Sequence, residues 1–369
     1  MSEAVDLTRE LLRLRTINPP GDEASCIEPL AARLEAAGFV CRSVDLVPGR
    51  PNLVARYGDA GRPALAFTGH LDTVPLGDAP WTRDPFAGEI ADGRLYGRGA
   101  SDMKSGVAAI VIAACRHAAA GGATPVEIVL TSAEETGLEG AKKLAGMPGS
   151  LGLVGALVVA EPTANMPAFG NRGTVWLEFT FHGRTAHASA PEHGRNALIA
   201  AAEAALKLAA YDFGGQHHPV LGRPSVTVSR LAAGSNFNSV PDRAVLGLDL
   251  RPLPDADLDA VIADLAVLAG PAASVREVVR CPGLWTDPAE PWLAAALEVV
   301  AGITGTAARQ ETVPFNTDAA FLTPAYGGVP TLILGPGELA QAHQTNEWCA
   351  VDKIDEAALI YSELLRQFR

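Results

Sequence analysis

Cysteine is scarce and unpatterned. The 369-residue chain has five, Cys26, Cys41, Cys115, Cys281 and Cys349, never in a C-x-x-C pair. An odd, scattered set argues against a disulfide framework or a cysteine-held zinc knot and favours a reducing compartment. Basic residues are outnumbered, 29 Lys and Arg against 42 Asp and Glu, for a formal net charge of −13. A phosphate-backbone binder needs a basic face, so nucleic acid is not an expected partner. No apolar run is long enough to suggest a bilayer span. The alanine-rich stretch 105–120 is too short and carries Arg116 and His117. MSEAVDLTRELLRLRT reads as a charged amphipathic helix rather than a signal peptide, which makes the cytoplasm the expected location. Internal repeats and low-complexity linkers are missing too. What is there is a chain with 48% hydrophobic residues, enough for sizeable cores, and a length that fits about two domains.

Apolar spacing predicts helices over 3–15 and 23–37, with the Pro/Gly loop TINPPGDE between them. Short strands are expected at 39–46, 52–57 and 63–69. A helix over 104–120, a strand at 125–131, a helix near 137–145 and a strand at 154–160 follow. Alternating apolar strands and helices predict an α/β domain with a largely parallel or mixed sheet. The character changes near 172. In VWLEFTFH (175–182), Val175, Leu177, Phe179 and Phe181 fall on one face, the period-two pattern of a sheet buried on one side. A helix near 195–211, strands at 225–232 and 244–251, a helix near 255–269 and a strand near 273–280 complete a β-α-β-β-α-β order. That is the order of a small two-layer sandwich. From 282 longer helices return, with one apolar strand, TLILG (331–335). The segment 172–282 is therefore read as a domain inserted into a discontinuous one formed by 1–171 and 283–369.

At 67–75 the chain reads FTGHLDTVP, an apolar run closed by His70 and Asp72. Residues i and i+2 of an extended segment share a face, so the imidazole and the carboxylate are neighbours. Such a carboxylate orients a metal-bound histidine; it equally suits a strand-end histidine with an ordinary hydrogen bond. Other acids follow the same plan. GRGASDMKSG (97–106) sets Asp102 in a Gly-rich loop before a helix. An aspartate stands where a dinucleotide fingerprint needs its third glycine, and it would repel pyrophosphate, which excludes that motif. TSAEET (131–136) brings Glu134 and Glu135 off one strand, and VVAEPT (158–163) brings Glu161 off another. GPGELAQAHQTNEW (335–348) places His343 in a polar loop after TLILG. Singly, each acid has an alternative as a cap, a turn or a solvated end. Jointly they gather at the C-terminal ends of successive strands, where open α/β sheets bind ligands. His, Asp and Glu without cysteine suit zinc, with cobalt and manganese as relatives. One shared carboxylate would give a two-metal hydrolase site, its ions roughly 3.5–4 Å apart.

Taken in order, NPPGDE, GHLDTVP, GRGASDMKSG, SAEETG, the EPT after a strand, GRTAHASAPEHGRNA, NSVPDRA and GPGELAQAHQ carry a resemblance that covers nearly the whole chain. The chain resembles the metal-dependent amidohydrolase and exopeptidase family of acetylornithine deacetylase, succinyl-diaminopimelate desuccinylase and carboxypeptidase G. The resemblance implies a zinc-exopeptidase-like α/β catalytic domain, with the insertion as a two-layer α+β dimerisation or lid domain. It implies two divalent cations, zinc first. His70 and Glu161 would hold one, Glu135 and His343 the other, and Asp102 would bridge both. Asp72 would orient His70, Glu134 would be the general acid/base, and the Asp102–Met103 peptide is expected to be cis. His187 matches a family histidine that stabilises the oxyanion, typically in a partner subunit's site; otherwise it is a loop histidine on a dimer surface. The implied activity is hydrolysis of the amide bond of an N-acyl amino acid by a metal-activated water, deacetylase or desuccinylase in type. A dipeptidase or carboxypeptidase of the same fold is the alternative, and a non-catalytic ligand-binding paralogue a remote one.

Substrate contacts are candidates on other segments. Arg251, in AVLGLDLRP, shares a strand face with Asp249 and either clamps a substrate carboxylate or pairs with that acid. Asn238, in NFNSVPDRA, resembles a substrate-binding asparagine of the family; alone it reads as a turn residue before Pro241. Asn316, Thr317 and Asp318, in PFNTDAAFL, lie where relatives place a substrate loop. NTDAAF is nearer carboxypeptidase G and GPGELAQAHQ nearer acetylornithine deacetylase, which leaves the subfamily open. His117 and His182 are read as structural, His193 as exposed, and the His217–His218 pair as a solvated loop. A homodimer through the exposed sheet edge of 172–282 is expected.

Overall fold

The computed structural model describes residues 2–307 and 311–368. The chain forms two compact units. The larger comprises Met1–Gly170, Trp285–Val313 and Thr317–Arg369, the smaller Asn171–Leu284 and Pro314–Asn316.

In the larger unit, strand Ala64–His70 runs parallel to Val126–Thr131 on one side and to Val154–Val159 on the other. Thr331–Ile333 continues the parallel run beyond Val154–Val159. Arg50–Tyr57 and then Val40–Val47 add antiparallel strands at the opposite edge, giving six strands, mostly parallel at the centre. Every residue of Ala64–His70 and Val126–Thr131 is buried. Strands buried along their whole length need helices on both faces. Helix Ser105–Ala119 is buried along its first ten residues and packs against Val351–Gln367 and Glu3–Leu12. Gly106 makes one such approach possible, since a Cβ there would lie 2.3 Å from the Ala160 carbonyl oxygen.

Register decides where the site lies. His70 pairs with Thr131, Thr68 with Val159, and Ile333 with Val159. The parallel strands therefore end level, and the loops leaving their C-terminal ends share one rim.

The smaller unit is an antiparallel sheet in the order Ser225–Ala233, Arg243–Arg251, Thr174–His182, Ala273–Cys281. Val175, Leu177, Phe179 and Phe181 are buried as the alternation predicts, packed with residues of helices Ala197–Ala209 and Leu258–Ala269. Both helices start later than their apolar spacing suggests because polar caps define the ends. Asn196 Oδ1 accepts the Leu198 N–H at 2.9 Å, and Asp257 Oδ1 accepts the Ala260 N–H at 3.1 Å.

A three-stranded ribbon in the larger unit joins Glu89–Ala91, Arg94–Tyr96 and Trp348–Ala350. Strands of three residues show too little periodicity to be read from sequence. Among the described residues no helix is long and apolar enough to cross a membrane.

Candidate metal centre

His70, Glu134, Glu135, Glu161 and His343 sit on that rim, and Asp102 meets them from a separate loop. His70 ends strand Ala64–His70, Glu134 and Glu135 follow Val126–Thr131, and Glu161 follows Val154–Val159. His343 lies in the loop after Thr331–Ile333. Asp102 lies in an irregular turn just before helix Ser105–Ala119, and its peptide bond to Met103 is cis.

The two oxygens of Asp102 face different imidazoles. Oδ1 is 3.0 Å from His70 Nε2, and Oδ2 is 3.4 Å from His343 Nε2. Glu161 Oε1 approaches His70 Nε2 at 4.0 Å, while Glu135 Oε2 lies 3.0 Å from His343 Nε2. Ligand atoms of His70, Asp102 and Glu135 all fall within 4.8 Å of one another. His70 is buried, whereas the His343 side chain is 52% exposed.

Asp72 is fully buried, and its carboxylate does more than face the neighbouring imidazole. His70 Nδ1 lies 3.0 Å from the backbone carbonyl oxygen of Asp72 and 3.7 Å from its Oδ1. The carboxylate itself accepts the backbone N–H of Glu134 at Oδ1 (3.1 Å) and of Glu135 at Oδ2 (3.2 Å). Asn18 Nδ2 adds a third donor at 2.9 Å. The turn carrying both glutamates thus hangs from Asp72. Ala133, at φ 58, directs the chain into that turn, and its N–H donates to the buried Glu23 at 3.2 Å.

The electrostatics show which charge the site favours. Burial alone would lower the His70 pKa, but the Asp102 hydrogen bond and the charges of Glu134 and Glu161 hold it well above the ordinary value. Hydrogen bonds to Asp102 and Glu135 carry His343 to about 10. Burial pushes Glu134 well up, and the Glu161 charge adds to this; burial and Asp102 do the same to Glu161. Glu135 rises for the same first reason, and burial lifts Asp318 to about 6. Asp102 alone falls: burial opposes ionisation there, and the hydrogen bonds from His343 and His70 overrule it. Crowded, buried acids around two imidazoles form an anionic pocket that bound cations would neutralise. Oxygen and imidazole donors without sulfur fit zinc, cobalt or manganese. Asp318 extends the pocket. Thr131 donates its hydroxyl to Asp318 Oδ2, while buried Oδ1 has no hydrogen-bond partner among the described residues. Asn18 and Asp318 carry only weak local signals: one stands in a proline-rich loop, the other beside Asn316 and Thr317 in an expected substrate loop.

The remaining candidates belong to the smaller unit, apart from Thr317. His187 is exposed and bridges to Ser239, beside Asn238, whose carbonyl accepts the Ala188 N–H at 2.9 Å. His187 Nδ1 is engaged within its own turn, 2.7 Å from Ser189 Oγ and accepting the Ser189 N–H at 3.2 Å. Arg251 grips Asp249 in two contacts, Nε to Oδ1 at 2.8 Å and Nη2 to Oδ2 at 3.0 Å. Its Nη1 and the Asn316 amide both donate to Thr174 Oγ1, at 2.6 and 2.5 Å. Arg251 and Asn316 are thus joined through one hydroxyl, with the Asp249 ion pair formed. Thr317 is buried, and its hydroxyl accepts the Ala319 N–H at 3.3 Å. His117 bonds the Thr124 carbonyl at 3.0 Å; His182 and His193 are exposed. His218 Nδ1 accepts the Val220 and Leu221 N–H groups within its own turn.

Known proteins share this fold. The profile of peptidase family M20/M25/M40 matches residues 66–367. A succinyl-diaminopimelate desuccinylase from Stenotrophomonas maltophilia (strain K279a) is 32% identical, covering 100% of this chain and 99% of its own length. The structure of an M20 family metallo-carboxypeptidase, Sso-CP2 from Sulfolobus solfataricus, superposes with a TM-score of 0.80 at 18% identity, covering 99% of both chains. The Bacillus subtilis YXEP protein, described as a dinuclear metal binding peptidase, superposes at 0.74 with 18% identity over 98% of this chain and 96% of its own. At such identities the structural likeness establishes the fold, while the family match and the full-length relative establish kinship. The chain belongs to peptidase family M20/M25/M40.

Proposed function

We propose that this enzyme is a two-metal deacylase that hydrolyses the amide bond of an N-acyl amino acid, deacetylase or desuccinylase in type. The observation that carries the reading is Asp102, which turns one carboxylate oxygen to His70 and the other to His343. That is the posture of a ligand shared by two cations. His70 and Glu161 would hold one, Glu135 and His343 the other, with zinc ahead of cobalt or manganese. Bound divalent cations would supply positive charge to the scissile carbonyl and acidify water. Glu134 takes a proton from the attacking water as its oxygen bonds to the carbonyl carbon. The C–N bond then breaks as Glu134 delivers that proton to the leaving nitrogen. His187 Nε2–H donates to the oxyanion, a contribution of about 3 kcal/mol to the barrier.

The full-length match to a desuccinylase supports the deacylase reading over peptidase alternatives. We further propose a cytoplasmic homodimer in which His187 serves the partner's site. Ser225–Ala233 and Ala273–Cys281 are the outer strands of the small sheet, and both are largely exposed. Either can pair across a two-fold axis.

The test is a release assay on metal-replete protein over N-succinyl, N-acetyl and N-formyl amino acids and dipeptides. Acyl amino acids should turn over fastest; faster dipeptide cleavage would favour a peptidase. Glu134→Ala should abolish turnover while elemental analysis still finds stoichiometric metal. Near-normal activity in that variant would remove Glu134 from its role.

A further inference from the structure

Glu347 is a fully buried acid outside the ligand set. It closes the loop that carries His343 and leads into strand Trp348–Ala350 of the small ribbon. Its backbone carbonyl accepts the Gly97 N–H at 2.9 Å, so the loop of Asp102 leaves the ribbon beside it. Four donors from that loop converge on its carboxylate. Oε1 accepts the N–H of Ser101 at 2.8 Å and of Asp102 at 3.0 Å. Oε2 accepts the N–H of Gly99 at 2.9 Å and Arg98 Nη1 at 2.7 Å. Arg98, 2% exposed, reaches on to the carbonyls of Gln344 (3.3 Å) and Pro75 (3.1 Å). One ion pair thereby ties together the loops that follow Asp72, carry Asp102 and carry His343.

The turn needs this support. Asp102 (φ −121, ψ 93) and Met103 (φ −135, ψ 32) are not helical. The N–H groups of Ser101 and Asp102 therefore depend on an acceptor from elsewhere in the chain, since a buried N–H without one is costly. We infer that Glu347 is a positioning residue for the metal pair, setting the place of the bridging carboxylate against His343 through the backbone N–H of Asp102 itself. The inference rests on the two-cation reading of the site. An amide could not substitute. Glutamine offers one acceptor atom and an NH2 group to four donors, and it leaves Arg98 buried without its counter-charge.

The experiment measures zinc binding to chelator-stripped protein by calorimetric titration, with the visible spectrum of the cobalt-substituted protein as a second readout of ligand geometry. Wild-type protein should take up two ions; if it takes none, the two-cation reading fails independently of Glu347. Glu347→Gln should weaken zinc binding about 10–100-fold, the usual cost of removing a group that orients a metal ligand. Glu347→Asp keeps the charge one methylene short and should lose less. Glu127→Gln is the control. Glu127 is equally buried and takes Arg56, Tyr326 and the Gly152 N–H, but it lies near the start of strand Val126–Thr131, away from the rim. Glu127→Gln should lower stability and leave zinc affinity within about twofold. Should Glu347→Gln not fold, Glu347→Asp carries the same test. Folded Glu347 variants that bind both ions with wild-type affinity overturn the inference, as does an equal loss of affinity in Glu127→Gln.

Discussion

Replacing Asp72 with asparagine separates two jobs a carboxylate could perform beside His70. Three donors meet this carboxylate: the N–H groups of Glu134 and Glu135 and the Asn18 amide. Asparagine retains one acceptor oxygen and turns an NH2 group toward at least one of those donors. Each hydrogen bond to a buried charged acceptor is worth about 1.5–3 kcal/mol, so losing one should release the glutamate turn by a comparable amount. A displacement of Glu134 of about 1 Å is expected to reduce kcat about 10²-fold. The imidazole side is insulated, because His70 Nδ1 leans at 3.0 Å on the Asp72 backbone carbonyl, which the substitution keeps. The assay pairs steady-state kinetics on an N-acyl amino acid with zinc titration. The expected result for Asp72→Asn is a kcat loss of about 10²-fold, with KM and zinc affinity on the His70 side within about threefold. A kcat within about threefold of wild type would refute the reasoning, and so would loss of zinc from the His70 side in step with activity.

His187→Ala should lower kcat about 10²–10³-fold with little change in KM. If His187 acts across a dimer, an exchanged equal mixture of His187→Ala and Glu134→Ala subunits should recover about a quarter of wild-type sites, and no recovery would place the histidine in its own subunit's site. Gly106→Ala drives a Cβ to 2.3 Å from the Ala160 carbonyl oxygen. That overpacking should cost about 1–3 kcal/mol in urea denaturation and disturb Glu161, the next residue; an unchanged midpoint would contradict the close approach.

The strands and the long helices are legible because each rests on a local pattern, while the proposed ligand set comes from the resemblance of its motifs to a known family. Val126–Thr131 is buried throughout, Glu127 being its one charged residue, and leads into Glu134 and Glu135; Thr174–His182 alternates cleanly. The rest depends on partners distant in the chain. Nothing around Glu347 announces that it will accept the N–H groups of Ser101 and Asp102, some 245 positions earlier. Asp72 was legible as a neighbour of His70 through the i, i+2 rule, yet its bonds to Glu134 and Glu135 follow from strand register, which local spacing does not encode. Arg251 illustrates a choice that strand alternation left open. Its face follows from alternation, while its contact with Asp249 depends on side-chain rotamers that spacing does not encode.

The two imidazoles differ sharply in their access to solvent: the His70 side chain is 1% exposed and that of His343 is 52%. Water and small chelators reach the second directly and the first only past its neighbours. On the proposed two-cation reading, partial stripping should therefore yield a singly loaded protein whose remaining ion is held by His70 and Glu161, and reloading should fill that inner site before the outer one.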